Sequence, residues 1–125
     1  MRALADLLKD DPECDAVLEL VDGCGELDRK IYRTALDAED RLTVDEFATL
    51  VDRDRSTTYR AIRRLHEHGY LDRERVSYDS GGYCYRYESV DPDVVAGKLS
   101  DRLASCHERL QGLVDEFRDR YTQSK

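Results

Sequence analysis

Lysine is scarce in this chain, standing at only four of 125 positions: Lys9, Lys30, Lys98 and Lys125. Nearly all the positive charge is therefore arginine. Large aliphatic side chains are few, and no apolar run approaches the roughly 20 residues that a membrane-spanning helix needs. The first residues, Met1-Arg2-Ala3-Leu4-Ala5-Asp6, lack an apolar signal region with a small-residue cleavage site, so a cytoplasmic location is expected. The four cysteines, Cys14, Cys24, Cys84 and Cys106, form no CxxC pair. That excludes zinc-finger and thioredoxin-like motifs, and reduced thiols are expected. Also missing are a phosphate-cradling glycine loop, a nucleophile motif and any carboxylate pair distinguishable from the many surface acids, so neither enzyme nor cofactor is expected. His66, His68 and His107 have no ligand spacing, and no metal site is expected.

What the chain has is acid. Asp and Glu total 28 against 20 Lys and Arg, a net charge of −8, with aspartate outnumbering glutamate. Dense short carboxylates hold water and cations at a surface, and their repulsion is screened over about 3 Å in molar salt. Low lysine with high aspartate resembles proteins of salt-loving archaea; an ordinary acidic protein is the other reading. The length suits one compact domain with one appended element.

Leu4, Leu7 and Leu8 give a helical spacing over residues 2–10, ended by Asp10-Asp11-Pro12. A second short helix is expected over Glu13–Val21, with Cys14, Val17, Leu18 and Val21 on one face. After Gly23-Cys24-Gly25, Leu27, Ile31, Ala35 and Leu36 mark a third helix, from Glu26. Thr43 and Glu46 then form a capping-box signature that opens a short helix carrying Val44, Phe47, Ala48 and Val51. Asp52-Arg53-Asp54-Arg55 is a polar turn, and Asp54 or Ser56 can cap the next helix, which runs to His68 and stops at Gly69. From Tyr70 the period becomes two: Leu71, Val76 and Tyr78 lie on one extended segment and Tyr83-Cys84-Tyr85-Arg86-Tyr87 on another. Asp79-Ser80-Gly81-Gly82 makes the turn between them.

The stretch from Leu42 to Leu71, with its Asp52-Arg53-Asp54-Arg55-Ser56-Thr57 turn and its Arg63-Arg64-Leu65-His66-Glu67-His68-Gly69-Tyr70-Leu71 ending, resembles the winged helix-turn-helix of TrmB-like regulators. It is close in form to PadR-like and MarR-like proteins and most similar to the short haloarchaeal members. The resemblance spans residues 26–90. It implies an α+β, mostly helical fold: N-terminal helices over 1–22, a winged helix-turn-helix over 26–90 and a C-terminal dimerisation helix over 91–122. It also implies a transcription regulator with double-stranded DNA as partner. The sugar-binding effector domain of larger members is not expected here.

The residues support that reading on their own terms. With Thr58, Ile62 and Leu65 turned inward, Ser56, Tyr59, Arg60 and Arg63 point outward, and arginine reads guanine edges in a major groove. Ser56 and Thr57 suit phosphate or a base edge near a helix N-terminus. Arg55 and Arg64 are assigned to phosphate, and Arg75, Tyr78, Ser80 and Arg86 to backbone or minor groove beside the wing. From Arg53 to Arg75 seven arginines face four acids, a local excess of positive charge in an acidic chain. At high salt, base contacts, water and DNA shape are expected to carry more of the affinity, with bound cations near the acids.

Asp91-Pro92-Asp93 opens the last helix. Val95, Leu99, Leu103, Cys106, Leu110, Leu113 and Phe117 recur at steps of three and four, the seam of a helix that pairs with a second copy. Cys24, expected just before a helix, is read either as a thiol able to respond to oxidants or as an inert packing residue. The competing reading of the whole chain is a protein-interaction module that kept the fold and lost DNA binding. Arg60 and Arg63 locked in intramolecular salt bridges would favour it.

Overall fold

The computed structural model describes residues 3–9 and 11–122. The chain divides at Asp91/Pro92 into two compact units. The first contains helices α1 (Leu4–Leu8), α2 (Ala16–Asp22), α3 (Glu26–Asp37), α4 (Val44–Val51) and α5 (Arg55–Glu67), with strands β1 (Leu42–Thr43), β2 (Leu71–Ser77) and β3 (Tyr83–Ser89). The second is one helix, α6 (Pro92–Thr122). The fold class is the expected one, a mostly helical α+β winged helix-turn-helix with a long C-terminal helix. No helix among the described residues is long and apolar enough to cross a membrane.

The core gathers around α5. Ile31 of α3, Phe47 and Val51 of α4, Ala61, Ile62 and Leu65 of α5, and Tyr70 and Leu71 at the start of the hairpin are all essentially inaccessible. Ile31, Phe47, Val51, Ile62 and Leu65 are positions where the helical period placed apolar side chains on one face. Tyr70 anchors the join between α5 and β2: its hydroxyl donates to Asp22, and its ring meets Tyr32 at 5.7 Å.

The sheet has three antiparallel strands in the order β1-β3-β2. Leu71 pairs with Ser89 and Ser77 with Tyr83, so β2 and β3 form a full seven-residue hairpin. Gly81 and Gly82 close it with φ of 93° and 82°, which only glycine adopts freely. Strand β1 was not foreseen: Leu42 and Thr43 pair with Tyr87 and Arg86 before α4 begins. Two residues are too few to display an alternation. The N-terminal helices also differ from expectation, α2 starting later and leaving Cys14 exposed rather than packed. The parts of the first expected helix at positions 2 and 10 lie outside the described residues.

Candidate nucleic-acid interface

The helix-turn-helix is set by three local devices. Thr43 Oγ1 accepts from the Glu46 amide at 3.2 Å while Glu46 Oε1 accepts from the Thr43 amide at 3.0 Å, the capping box expected for α4. That pairing holds the Glu46 carboxyl below its ordinary pKa. Asp52 takes a left-handed conformation, φ 56°, and ends α4. Asp54 then caps α5, its carboxylate accepting from the Thr57 amide at 3.0 Å, and hydrogen bonds with Thr57 lower its pKa.

Capped in this way, α5 buries Thr58, Ala61, Ile62 and Leu65 and exposes Ser56, Tyr59, Arg60 and Arg63. Arg60 makes no ion pair within 4 Å among the described residues, and its nearest polar contact is Thr57 Oγ1 at 3.4 Å. Arg63 Nε lies 2.9 Å from Glu67 Oε1 one turn along, and both side chains are mostly exposed. Arg55 Nε is 2.9 Å from Asp45 Oδ1, again an exposed pair. Pairs of this kind contribute little and give way to a stronger anion.

Arg64, expected at phosphate, is held differently from its neighbours on α5. Its Nε and Nη2 donate to Oδ2 and Oδ1 of Asp28 at 3.1 and 2.8 Å, a two-pronged grip on a carboxylate that is 2% exposed. Asp28 Oδ2 also accepts from the Gly25 amide at the start of α3, at 3.3 Å. Arg64 therefore ties the helix to α3, and its hydrogen bonds to Asp28 raise its pKa further. Nothing in the sequence marks Asp28 as its partner, 36 positions away. Cys24, next to this junction in sequence, is buried at 1% exposure, so it is not an accessible thiol.

On the wing, tyrosines and arginines alternate onto one face. The Arg75 guanidinium lies 3.8 Å from the centre of the Tyr83 ring and that of Arg73 4.2 Å from Tyr85, distances at which a cation is held by a ring face. Tyr83 and Tyr85 meet edge-on at 5.5 Å. Tyr78 and Ser80, at the turn, are exposed. Arg86, one residue from Tyr85 and Tyr87, belongs to the other face of β3. There it lines a groove with Glu39, Asp40, Arg41, Glu46, Glu74 and Glu88, in which Arg41 pairs with Glu74 and Glu88 and acids still outnumber arginines. Arg73, Tyr83 and Tyr85 share this face with Arg75, a placement that the Tyr-x-Tyr-x-Tyr alternation carries in the sequence.

A groove of about 480 Å³ opens between α5 and the wing, lined by Tyr59 on one side and by Tyr78, Tyr83, Tyr85 and Tyr87 on the other. In the second unit, Leu103, Cys106, Leu110, Leu113 and Phe117 are exposed along α6, and Phe117 stacks on Tyr121 at 4.9 Å. Val95 and Leu99, near the start of the helix, have little accessible surface. Among the described residues no cluster of His, Cys, Asp and Glu is arranged to hold a metal ion.

The family model described as "Sugar-specific transcriptional regulator TrmB" matches residues 18–93, which hold the whole helix-turn-helix and wing. The chain belongs to the TrmB family. Its members are transcriptional regulators. An uncharacterized protein of Methanocaldococcus jannaschii, MJ1082, is 31% identical over 97 residues, covering 78% of this chain and 79% of that one. Among solved structures, a possible transcriptional regulator from Methanosarcina mazei Go1 superimposes with a TM-score of 0.74 at 22% identity, covering 82% of this chain and 86% of the other. The F27L mutant of S. aureus MepR, solved bound to an oligodeoxyribonucleotide, shares the fold more loosely. Its TM-score is 0.50 at 17% identity, covering 90% and 77% of the two chains. The likenesses to solved structures establish a winged-helix fold, and the family match adds the TrmB assignment.

Proposed function

We propose that this TrmB-family chain is a sequence-specific DNA-binding regulator that places α5 in the major groove. One observation carries the reading. The inner face of α5 is fully buried, while its outer face presents Ser56, Tyr59, Arg60 and Arg63, and among the described residues Arg60 makes no ion pair within 4 Å. Arg60 and Arg63 read base edges, and Arg55, Ser56 and Thr57 hold phosphate near the helix N-terminus. The DNA-bound winged-helix structure of MepR is consistent with this placement. The alternative, an interaction module without DNA binding, needs both arginines locked in place. Among the described residues Arg63 forms an ion pair, with Glu67, that is exposed, and Arg60 forms none within 4 Å.

The working form is a homodimer in which Leu103, Cys106, Leu110, Leu113 and Phe117 meet a second copy, the seam beginning beyond the little-exposed Val95 and Leu99. Two copies of α5 then meet successive major grooves of an inverted repeat, about 34–36 Å apart. The acidic, lysine-poor composition suits a saline cytoplasm, where base contacts and bound cations outweigh counterion release. Oxidant sensing by Cys24 is not part of the proposal, because the thiol is buried.

The test is fluorescence anisotropy in molar potassium chloride, with duplexes selected from a random pool, comparing wild type and Arg60→Ala. The expected loss in the variant is about 10- to 100-fold for the selected duplex, one bidentate base contact, and much less for a scrambled one. Equal affinity of wild type for both duplexes would contradict sequence-specific regulation.

A further inference from the structure

The groove between α5 and the wing has a composition that the arginine-based reading leaves unused. It collects five of the chain's eight tyrosines. Its charged lining groups, Arg55 and Asp45, lie 2.9 Å apart and neutralise each other. Tyr59, Tyr78 and Tyr83 are about half exposed, and Tyr85 is partly so. A phenol offers an apolar ring face and one strong O–H donor without net charge.

Position supplies the occupant. A duplex with α5 in its major groove and the wing along the adjacent minor groove must carry the strand that separates those grooves between the two protein elements. We propose that this groove seats that sugar–phosphate strand, with deoxyribose against the tyrosine rings and the hydroxyls of Tyr59, Tyr83 and Tyr85 donating to phosphate oxygens. The inference rests on the DNA-binding reading above and extends the contact surface to Tyr83 and Tyr85.

Two further features fit. Arg75 and Arg73, stacked at 3.8 and 4.2 Å on Tyr83 and Tyr85, hold these rings in fixed orientations, so little side-chain freedom is lost on binding. The Tyr78 hydroxyl, whose hydrogen bond with Cys84 pushes its pKa up, belongs to the lining of the same groove. Neutral donors also suit a chain of net charge −8. A neutral phenol does not displace the cations condensed on a DNA phosphate, so that part of the affinity survives where salt weakens arginine contacts.

The readout separates this from a structural role. Tyr59→Phe/Tyr85→Phe keeps both rings and removes two donors, and a thermal melt matching wild type establishes that the fold is intact. Affinity is then measured by anisotropy across a potassium chloride series, on selected and scrambled duplexes. The expected result is a loss of at least tenfold, equal for both duplexes, with an unchanged slope of log K against log salt. Arg55→Gln, in contrast, reduces that slope by about one. Unchanged affinity in the double variant, or a loss confined to the selected duplex, overturns the backbone groove. Failure of wild type to bind any duplex instead overturns the DNA-binding reading on which it rests.

Discussion

Arg63 and Arg64 are adjacent, carry the same charge and lie on one helix, yet the structure gives them different work. A rotation of about 100° per residue turns Arg63 to solvent and Arg64 toward α3. Arg63 meets the exposed Glu67, whereas Arg64 neutralises a carboxylate with almost no access to water. Removing Arg64 leaves the Asp28 charge buried, with the Gly25 amide still donating to it. Arg64→Ala is expected to destabilise the fold by about 2–3 kcal/mol, below the usual cost of breaking a buried pair because the Arg64 side chain is itself half exposed. Arg63→Ala leaves stability nearly unchanged and weakens DNA binding instead. Urea midpoints of the two variants check this, and equal midpoints would remove the α3–α5 tie from the explanation of the fold. No periodicity in the sequence distinguishes the two arginines, because what separates them is a partner on another helix.

At the scale of elements, the N-termini of α4 and α5 both rest on carboxylates, Glu46 and Asp54. Each has its folded pKa lowered, mainly by hydrogen bonds with Thr43 and Thr57 respectively. A lowered folded pKa means that the unfolded chain takes up protons first as acid is added. The stabilisation is therefore complete above the ordinary values of 4.5 and 3.8 and is lost as pH falls through them toward the folded values. Glu46→Gln/Asp54→Asn keeps hydrogen-bonding caps and removes both titrations, so its stability should fall less between pH 6 and about pH 3. Denaturation curves at several pH values test this, and identical acid sensitivity in variant and wild type would contradict it. These caps were legible in the sequence because Thr43-x-x-Glu46 and the turn ending at Asp54 are local signals, as were the buried face of α5 and the glycine turn of the hairpin. Strand β1 was not legible, since its pairing with Tyr87 and Arg86 spans more than 40 residues. The acidic surroundings of Arg86 were hidden for the same reason, being assembled from three separate segments.

At the scale of the molecule, α6 leaves Leu110, Leu113, Phe117 and Tyr121 each more than half exposed on a helix about 45 Å long. Such a stripe is stable in water when a second copy covers it. Leu113→Glu/Phe117→Glu is expected to convert a species of twice the chain mass into one of the chain mass in sedimentation equilibrium, with the helix-turn-helix unit still folded. A wild-type protein that sediments as a single chain at micromolar concentration would contradict the dimer. Loss of pairing should also weaken binding to an inverted repeat far more than binding to one half-site, because the second recognition helix no longer arrives at high effective concentration. Contact of α5 and the neighbouring face of the wing with DNA is read out by amide chemical-shift mapping with a selected duplex in molar potassium chloride. The expected shifts cluster on residues 55–63 and 78–85 and spare α2 and the acidic face around Arg86. Shifts confined to α6, or none at duplex concentrations well above those of the protein, would contradict it.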